Sequence, residues 1–169
     1  MYKSYELAAE KCRYPLHLGV TEAGTENMGV IKSAAGIGGL LLRGIGDTLR
    51  ISLTDDPVRE VEAASKLLKA IGIRQGGIRF VSCPTCGRTQ INLIDLAKRA
   101  EERFGSLDKN ITVAIMGCVV NGPGEASAAD IGIAGGKDCG VIFKHGKILY
   151  NKVPEDRLLD VLGEEIEKM

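Results

Sequence analysis

Residues 78–88 read Ile-Arg-Phe-Val-Ser-Cys-Pro-Thr-Cys-Gly-Arg, a short strand pattern that runs directly into a C-x2-C motif. Upstream, residues 15–21 and 47–54 have strand patterns, and helical patterns follow them at residues 30–43 and after Asp56. The order strand, helix, strand, helix, strand with short loops is typical of a parallel sheet covered by helices. The sequence therefore predicts an α/β fold, in which three strands with open edges form part of a larger unit.

The helix that follows residues 47–54 has a clear start signal. Asp56 is a good N-cap, and Pro57 fits the first helical position because its missing N–H has no partner there. Spacing of apolar residues predicts one buried stripe, made of Val61, Ala64, Leu68 and Ile71.

A second pattern begins near residue 83, which predicts a domain boundary between residues 1–82 and 83–169. The expected elements are helices at 92–104 and 154–167, strands at 111–116 and 131–134, and a hairpin over 141–150. The hairpin should turn at His145-Gly146. Residues 83–169 are therefore expected to form a small domain around a mixed sheet.

Composition excludes several classes of protein. The 169 residues include 22 basic and 22 acidic side chains, so there is no bulk attraction to polyanions. Aromatic residues make up only 4%, which argues against a base-stacking surface for nucleic acid. No signal-peptide pattern opens the chain, and no run of about 18 apolar residues could cross a membrane. The sequence predicts a cytoplasmic protein that binds neither nucleic acid nor membrane.

Four side chains with metal-binding chemistry surround two predicted strand ends. Cys83 and Cys86 follow one strand, Cys118 follows the next, and Glu125 comes shortly after it. Two thiols at C-x2-C spacing can bind one metal site, and a third from a neighbouring strand can complete it. Gly117, Gly122 and Gly124 let backbone N–H groups approach sulfur closely, and such contacts tune the potential of a cluster.

Spacing alone leaves several interpretations of these thiols open. A structural zinc site would need four closed ligands, with Cys139 as a lone fourth. A thioredoxin-type dithiol would place Cys83 at a helix N-terminus and leave Cys118 unexplained. An iron–sulfur cluster with three thiolates and one oxygen ligand uses all four side chains, either in an enzyme or in a non-catalytic electron-transfer domain.

Four longer stretches add a resemblance to a known family. They are residues 82–88, residues 116–126 (Met-Gly-Cys-Val-Val-Asn-Gly-Pro-Gly-Glu-Ala), residues 17–24 (His-Leu-Gly-Val-Thr-Glu-Ala-Gly) and residues 46–54 (Gly-Asp-Thr-Leu-Arg-Ile-Ser-Leu-Thr). Together and in this order they resemble the C-terminal portion of the 4-hydroxy-3-methylbut-2-en-1-yl diphosphate synthase family. The resemblance covers nearly the whole chain.

The resemblance implies a reaction, a cofactor and partners. The family carries out a two-electron reductive ring opening and dehydration of 2-C-methyl-D-erythritol 2,4-cyclodiphosphate in the non-mevalonate route to isoprenoids. It implies a [4Fe-4S] cluster held by Cys83, Cys86, Cys118 and Glu125. Reduced ferredoxin or flavodoxin supplies the electrons. A homodimer is implied, in which the barrel of one subunit faces the cluster domain of another.

The resemblance also implies roles for individual side chains. Glu22 assists proton transfer as the C–O bond breaks, and Glu125 is the cluster ligand that gives way to a substrate oxygen. Arg50 and Ser52 bind the diphosphate, and Asn121 lies beside the cluster. The pattern of the residues agrees in part, because Glu22 follows a strand end and both Arg50 and Ser52 are on the polar side of a strand.

One departure concerns the barrel. The family begins with a β/α barrel, and a complete barrel takes about 250 residues. Residues 1–82 can supply only its last strands, so the expected fold is a partial β/α barrel segment followed by a small mixed-sheet iron–sulfur domain. The chain is expected to be a fragment of the enzyme.

Overall fold

The computed structural model describes residues 1–119, 124 and 126–169, which fall into two units, Met1–Gln75 and Gly76–Met169. The first unit contains α1 (Tyr2–Lys11), β1 (His17–Gly19), α2 (Glu26–Ser33), a π-helical turn (Ala34–Gly38), α3 (Gly39–Leu41), β2 (Thr48–Arg50) and α4 (Pro57–Ala70). The second contains β3 (Arg79–Ser82), α5 (Leu93–Phe104), β4 (Thr112–Met116), β5 (Ile131–Gly136), β6 (Cys139–Lys144), β7 (Lys147–Pro154), a 3-10 turn (Glu155–Arg157) and α6 (Leu158–Glu167). Each helix in the described part of the chain is too short or too polar to cross a bilayer.

The first unit is a pair of parallel strands packed against helices. Strands β1 and β2 pair in parallel, with Leu18 opposite Leu49 and Gly19 opposite Arg50. Both strands are shorter than the sequence predicts but lie within the expected ranges. The core consists of buried apolar side chains from β1, from the segment after α2, from the residue after β2 and from α4: Leu18, Ile37, Leu40, Ile51, Ala63 and Leu67.

Helix α4 starts as predicted but buries a different stripe. The Asp56 side chain accepts a hydrogen bond from the Val58 N–H at 2.9 Å, and Pro57 is the first helical residue. Val61, expected in the core, is 69% exposed, whereas Ala63 and Leu67 are buried. The predicted position of Val61 is wrong because it lies roughly 200° around the helix from Ala63.

The second unit is built on a mixed five-stranded sheet in the order β3-β4-β5-β6-β7. Strands β3, β4 and β5 are parallel, and β6 and β7 continue the sheet in antiparallel fashion. The predicted hairpin and its turn at His145-Gly146 are confirmed between β6 and β7.

One expectation about strand pairing is wrong. The sequence places residues 78–82 as a third parallel strand after the first two, but β3 pairs with β4, with Arg79 opposite Thr112 and Ser82 opposite Ile115. Its backbone hydrogen bonds therefore join it to the second sheet, and it belongs to the unit Gly76–Met169. The first sheet has two strands in the described part of the chain.

Alternate residues of the central strands face two different layers. Val113 and Ile115 of β4 pack with α5 and α6, which lie together on one face of the sheet. Ala114 and Met116 point to the opposite face and pack with Ala126 and with other small or apolar side chains. This period-two alternation holds β4 in one register, which fixes the residues that leave its carboxyl end.

Candidate functional site

Two of the predicted ligands leave the same end of neighbouring strands. Cys83 follows β3 directly, and Cys118 follows β4 after one intervening residue, Gly117. Because β3 and β4 are parallel and Ser82 pairs with Ile115, both thiols emerge at the carboxyl edge of the sheet. Both are half-buried. The prediction that Cys83 and Cys118 leave the ends of neighbouring strands is confirmed, and their sharing of one metal site stays a prediction.

Gly117 is the point where the two thiol segments meet. Its N–H donates to the Cys83 Sγ at 3.2 Å, and its carbonyl accepts from the Gln90 N–H at 3.3 Å. A Cβ at this position would lie 2.9 Å from the Thr89 Oγ1 and 3.1 Å from the Leu93 Cδ2. Glycine is therefore required by close approach, and the predicted N–H contact to sulfur is confirmed here.

Cys86 lies in a tight turn whose hydrogen bonds surround its sulfur. Its carbonyl accepts from the Thr89 N–H at 3.0 Å, and its own N–H donates to the Thr89 Oγ1 at 3.2 Å. The main-chain N–H of Arg88 bonds to the exposed Cys86 sulfur and lowers the pKa of the thiol below its ordinary value. The Arg88 side chain and the Thr89 hydroxyl act in the same direction, so the site favours a thiolate.

The donor set fits thiolate ligands of an iron–sulfur centre. All five cysteines are free thiols, and N–H groups face the sulfur atoms of Cys83 and Cys86. Such contacts stabilise the negative charge of a thiolate and tune a bound cluster. Within the described residues, no three His, Cys, Asp or Glu side chains are grouped around the position of a single metal ion. The expected ligand Glu125 and the expected substrate contact Asn121 lie outside the described residues.

Two other features bear on the alternatives. The thioredoxin-type interpretation requires Cys83 at a helix N-terminus, but the next helix after Cys83, α5, begins at Leu93. Cys139 starts β6 opposite Gly136, at the carboxyl end of β5 and thus at the same edge of the sheet as Cys118. The sequence offers Cys139 only as the fourth ligand of the alternative zinc site, and its sulfur lies about 4.0 Å from where a Gly136 Cβ would stand.

The remaining predicted residues gather at the carboxyl edge of the first sheet. Glu22 lies in the loop after β1, Arg50 ends β2, and Ser52 follows two residues later. Glu22 and Arg50 are exposed and Ser52 is half-buried, whereas Ile51 between the last two is in the core. No hydrogen bond or ion pair within the described part of the chain occupies the side chains of Glu22, Arg50 or Ser52.

The loops that carry these side chains are tied to each other. The Thr54 N–H donates to the Gly24 carbonyl at 2.9 Å, which joins the loop after β2 to the loop after β1. The Leu53 N–H donates to the Glu60 Oε1 at 2.8 Å, which anchors the second loop on α4. Glu22 itself has a φ of 56°, a left-handed conformation that non-glycine residues adopt rarely.

The arrangement has clear chemical capacities. At this edge of the sheet a carboxylate can exchange a proton, and a guanidinium and a hydroxyl can donate hydrogen bonds to a phosphate. Signals for three contributors were missed in the sequence, namely Arg88, Thr89 and Gln90, all within four residues of Cys86. Of the three, Thr89 had the clearest signal in the sequence, because a threonine often forms hydrogen bonds with the backbone of a turn three residues before it.

Comparison with known proteins agrees with these observations. A family model described as the GcpE TIM-barrel domain matches residues 1–65, and one described as the GcpE protein C-terminal domain matches residues 79–168. A protein of Clostridium perfringens (strain 13 / Type A) is 60% identical over 167 residues, which are 99% of this chain and 48% of the relative. A protein of Clostridium tetani (strain Massachusetts / E88) is 57% identical over 169 residues, covering 100% of this chain and 48% of the relative.

Both relatives are named 4-hydroxy-3-methylbut-2-en-1-yl diphosphate synthase (flavodoxin). The chain spans about half the length of the curated relatives it matches, at 47–48% for the first four. Two domain models in sequence order and identities of 57–60% over nearly every residue support one assignment. The chain belongs to the GcpE family, the family of the 4-hydroxy-3-methylbut-2-en-1-yl diphosphate synthases.

Proposed function

We propose that this chain is part of an iron–sulfur oxidoreductase that opens 2-C-methyl-D-erythritol 2,4-cyclodiphosphate reductively to 4-hydroxy-3-methylbut-2-enyl diphosphate, with loss of water. The reaction belongs to the non-mevalonate route to isoprenoids. The observation that carries the proposal is the pair of thiols at the carboxyl ends of β3 and β4, where the Gly117 N–H already donates to the Cys83 sulfur. Since the chain spans about half of its relatives, the activity is that of the whole protein.

The proposed cofactor is a [4Fe-4S] cluster held by Cys83, Cys86, Cys118 and Glu125. When bound, such a cluster supplies single electrons and a Lewis-acidic iron. The protein's own contribution is electrostatic, because the N–H groups of Gly117 and Arg88 place positive dipoles next to sulfur atoms that carry negative charge.

The proposed substrate contacts are in the first unit. Arg50 offers a planar set of N–H donors that suits a phosphate, and Ser52 can add a hydroxyl donor. Glu22, exposed on a loop at the same edge, assists proton transfer to the departing oxygen as its bond to carbon breaks. Asn121 is proposed to contact the substrate near the cluster.

The proposed electron donor is a flavodoxin, because the relatives carry that word in their names, and a ferredoxin is the alternative. A homodimer and a cytoplasmic location complete the proposal, as the family resemblance implies. In that dimer the barrel of one subunit meets the cluster domain of the other.

Anaerobic reconstitution of the 169-residue chain with iron and sulfide tests the cofactor. We expect about four iron and four sulfide per chain and a brown colour, and retention of zinc without visible colour would contradict the proposal. Cys118→Ser should abolish cluster uptake. Cys139→Ser is the matched control, since Cys139 is also half-buried and lies at the same edge of the sheet but is not a proposed ligand.

A second experiment separates the enzyme from a simple electron carrier. In the whole protein, Glu125→Ala should change the spectrum of the bound cluster and remove the spectral change caused by the cyclodiphosphate. A carrier with a closed cluster would show no response to the cyclodiphosphate in either form.

A further inference from the structure

Thr89 contacts both of the segments that carry the proposed cluster ligands. It follows the C-x2-C motif by three residues and is half-buried, unlike its exposed neighbours Arg88 and Gln90. No part of the proposed reaction uses it. Its side chain nevertheless contacts two separate segments, the turn at Cys86 and the backbone of Gly117.

The first set of contacts closes the turn at Cys86. The Thr89 N–H donates to the Cys86 carbonyl at 3.0 Å, and the Thr89 Oγ1 accepts from the Cys86 N–H at 3.2 Å. The hydroxyl lies 4.0 Å from the Cys86 Sγ, at the limit for an O–H to sulfur hydrogen bond. These contacts are compatible, because one hydroxyl can accept from an N–H and donate its own hydrogen to a sulfur atom.

The second contact reaches the neighbouring strand. The Thr89 Oγ1 and Cγ2 stand 2.9 Å and 3.1 Å from the place where a Gly117 Cβ would be, so the side chain packs directly on the Gly117 backbone. Gly117 is the residue whose N–H donates to the Cys83 Sγ, and Cys118 follows it. Thr89 therefore fixes the distance between the turn at Cys86 and the end of β4.

We propose that Thr89 is the positioning residue of the thiol site. Its hydroxyl holds the Cys86 turn and donates to the Cys86 sulfur, while its methyl group seats Gly117 so that the N–H stays directed at Cys83. This inference rests on the proposed cluster. A hydrogen bond to a ligand sulfur stabilises the reduced cluster, so loss of the hydroxyl should lower the reduction potential.

The test compares three variants of the 169-residue chain after anaerobic reconstitution. Thr89→Val removes the hydroxyl and keeps the shape, Thr89→Ser keeps the hydroxyl and removes the methyl group, and Thr85→Val is the matched control. Thr85 lies inside the same motif, is exposed, and its hydroxyl makes no hydrogen bond within the described residues. The measurements are the midpoint potential and the rate at which a chelator bleaches the cluster.

We expect Thr89→Val to have a lower potential than the parent chain and to lose iron about tenfold faster, as is typical for loss of a ligand's supporting contact. Thr89→Ser should keep a potential above that of Thr89→Val but lose iron faster than the parent, because its hydroxyl remains and the methyl contact with Gly117 is gone, and Thr85→Val should match the parent in both measurements. Parent-like values for Thr89→Val would overturn the inference. A Thr89→Ser potential as low as that of Thr89→Val would also overturn it, because the hydroxyl would not be the active group.

Hydrogen exchange in the metal-free chain distinguishes failure of this inference from failure of the proposed function. If even the parent chain takes up no cluster, the proposed function fails, but the positioning role still predicts faster exchange of the Cys86 amide in Thr89→Val than in the parent or Thr85→Val. Equal exchange in all three would overturn the role of Thr89 independently of any metal.

Discussion

Replacing Gly117 by alanine places a methyl group in the most crowded position of the thiol site. The new Cβ would stand 2.9 Å from the Thr89 Oγ1, 3.1 Å from the Thr89 Cγ2 and 3.1 Å from the Leu93 Cδ2. Ordinary contacts between such atoms are about 3.5–4.0 Å, so all three neighbours must move. Added methyl groups in well-packed regions lower the free energy of unfolding by about 1–3 kcal/mol.

A gain in the unfolded state offsets part of this loss. Gly117 has an ordinary backbone conformation that alanine can adopt, and a glycine-to-alanine change then stabilises by about 0.4–1 kcal/mol. The net expectation for Gly117→Ala is a loss of about 1–2 kcal/mol. Gly87→Ala is the matched control in the same segment, because its Cβ would meet no atom within 4 Å. That variant should be neutral or slightly more stable than the parent.

The assay is native-state hydrogen exchange of the β4 amides in the metal-free, reduced chain. Because β4 is a largely buried strand with a bonded neighbour on each side, its slowest amides report the free energy of unfolding of the second unit. The two variants should differ by about 2 kcal/mol, with Gly117→Ala the less stable. Equal stability of Gly117→Ala and Gly87→Ala would refute the argument that glycine is required here by close packing.

Three more predictions concern other parts of the chain. The buried Glu165 carboxylate accepts a hydrogen bond from the Lys168 Nζ, and this contact lowers the pKa of Glu165. The ionised carboxylate therefore stabilises the fold at neutral pH, and this stabilisation is lost as the pH falls below the ordinary glutamate pKa of about 4.3. The free energy of unfolding measured in urea should fall between pH 7 and pH 3, and this fall should be smaller in Glu165→Gln. Leu67→Ala should lower the free energy of unfolding by about 2–4 kcal/mol, while Val61→Ala should change it by less than about 0.5 kcal/mol. Equal losses in the two variants would mean that Val61 is buried after all, as the sequence pattern predicts. Iodoacetamide should modify Cys86 first among the five thiols of the reduced chain, since it alone is exposed, and mass spectrometry of timed samples shows the order.

Local signals in the sequence predicted much of the second unit and the starts of several helices. Asp56 and Pro57 mark the first turn of α4, and the helix expected over residues 92–104 is α5, which begins at Leu93. His145-Gly146 marks the hairpin turn between β6 and β7. These features depend on a few neighbouring residues, so they can be read without knowledge of the tertiary structure.

Pairing and packing partners were harder to predict. Residues 79–82 form a strand as expected, but nothing in their pattern states that the partner is β4 and not β2. Helix α1 was not predicted, and it carries no buried residue that would produce an apolar period. Val61 was placed in the core because a stripe through Ala64 and Leu68 fits the helical period nearly as well as the observed one.

In the candidate site, too, local features could be predicted and tertiary contacts could not. The order of motifs was enough to predict which cysteines leave strand ends, because those positions follow from the strands themselves. The contacts of Thr89 with Gly117 could not be predicted, since they join two segments that are distant in sequence. Glu125 and Asn121 lie outside the described residues, so their roles stay predictions.

The order of strands in the second sheet gives the two sides of the thiol site unequal rigidity. Cys118 follows β4, which forms backbone hydrogen bonds with a strand on each side. Cys83 follows β3, which has one hydrogen-bonded neighbour in the described part of the chain. Fraying begins where the fewest backbone bonds must break. Local opening of the C-x2-C segment should therefore cost less free energy than opening of the end of β4, so the Cys83 and Cys86 side is the one expected to rearrange first.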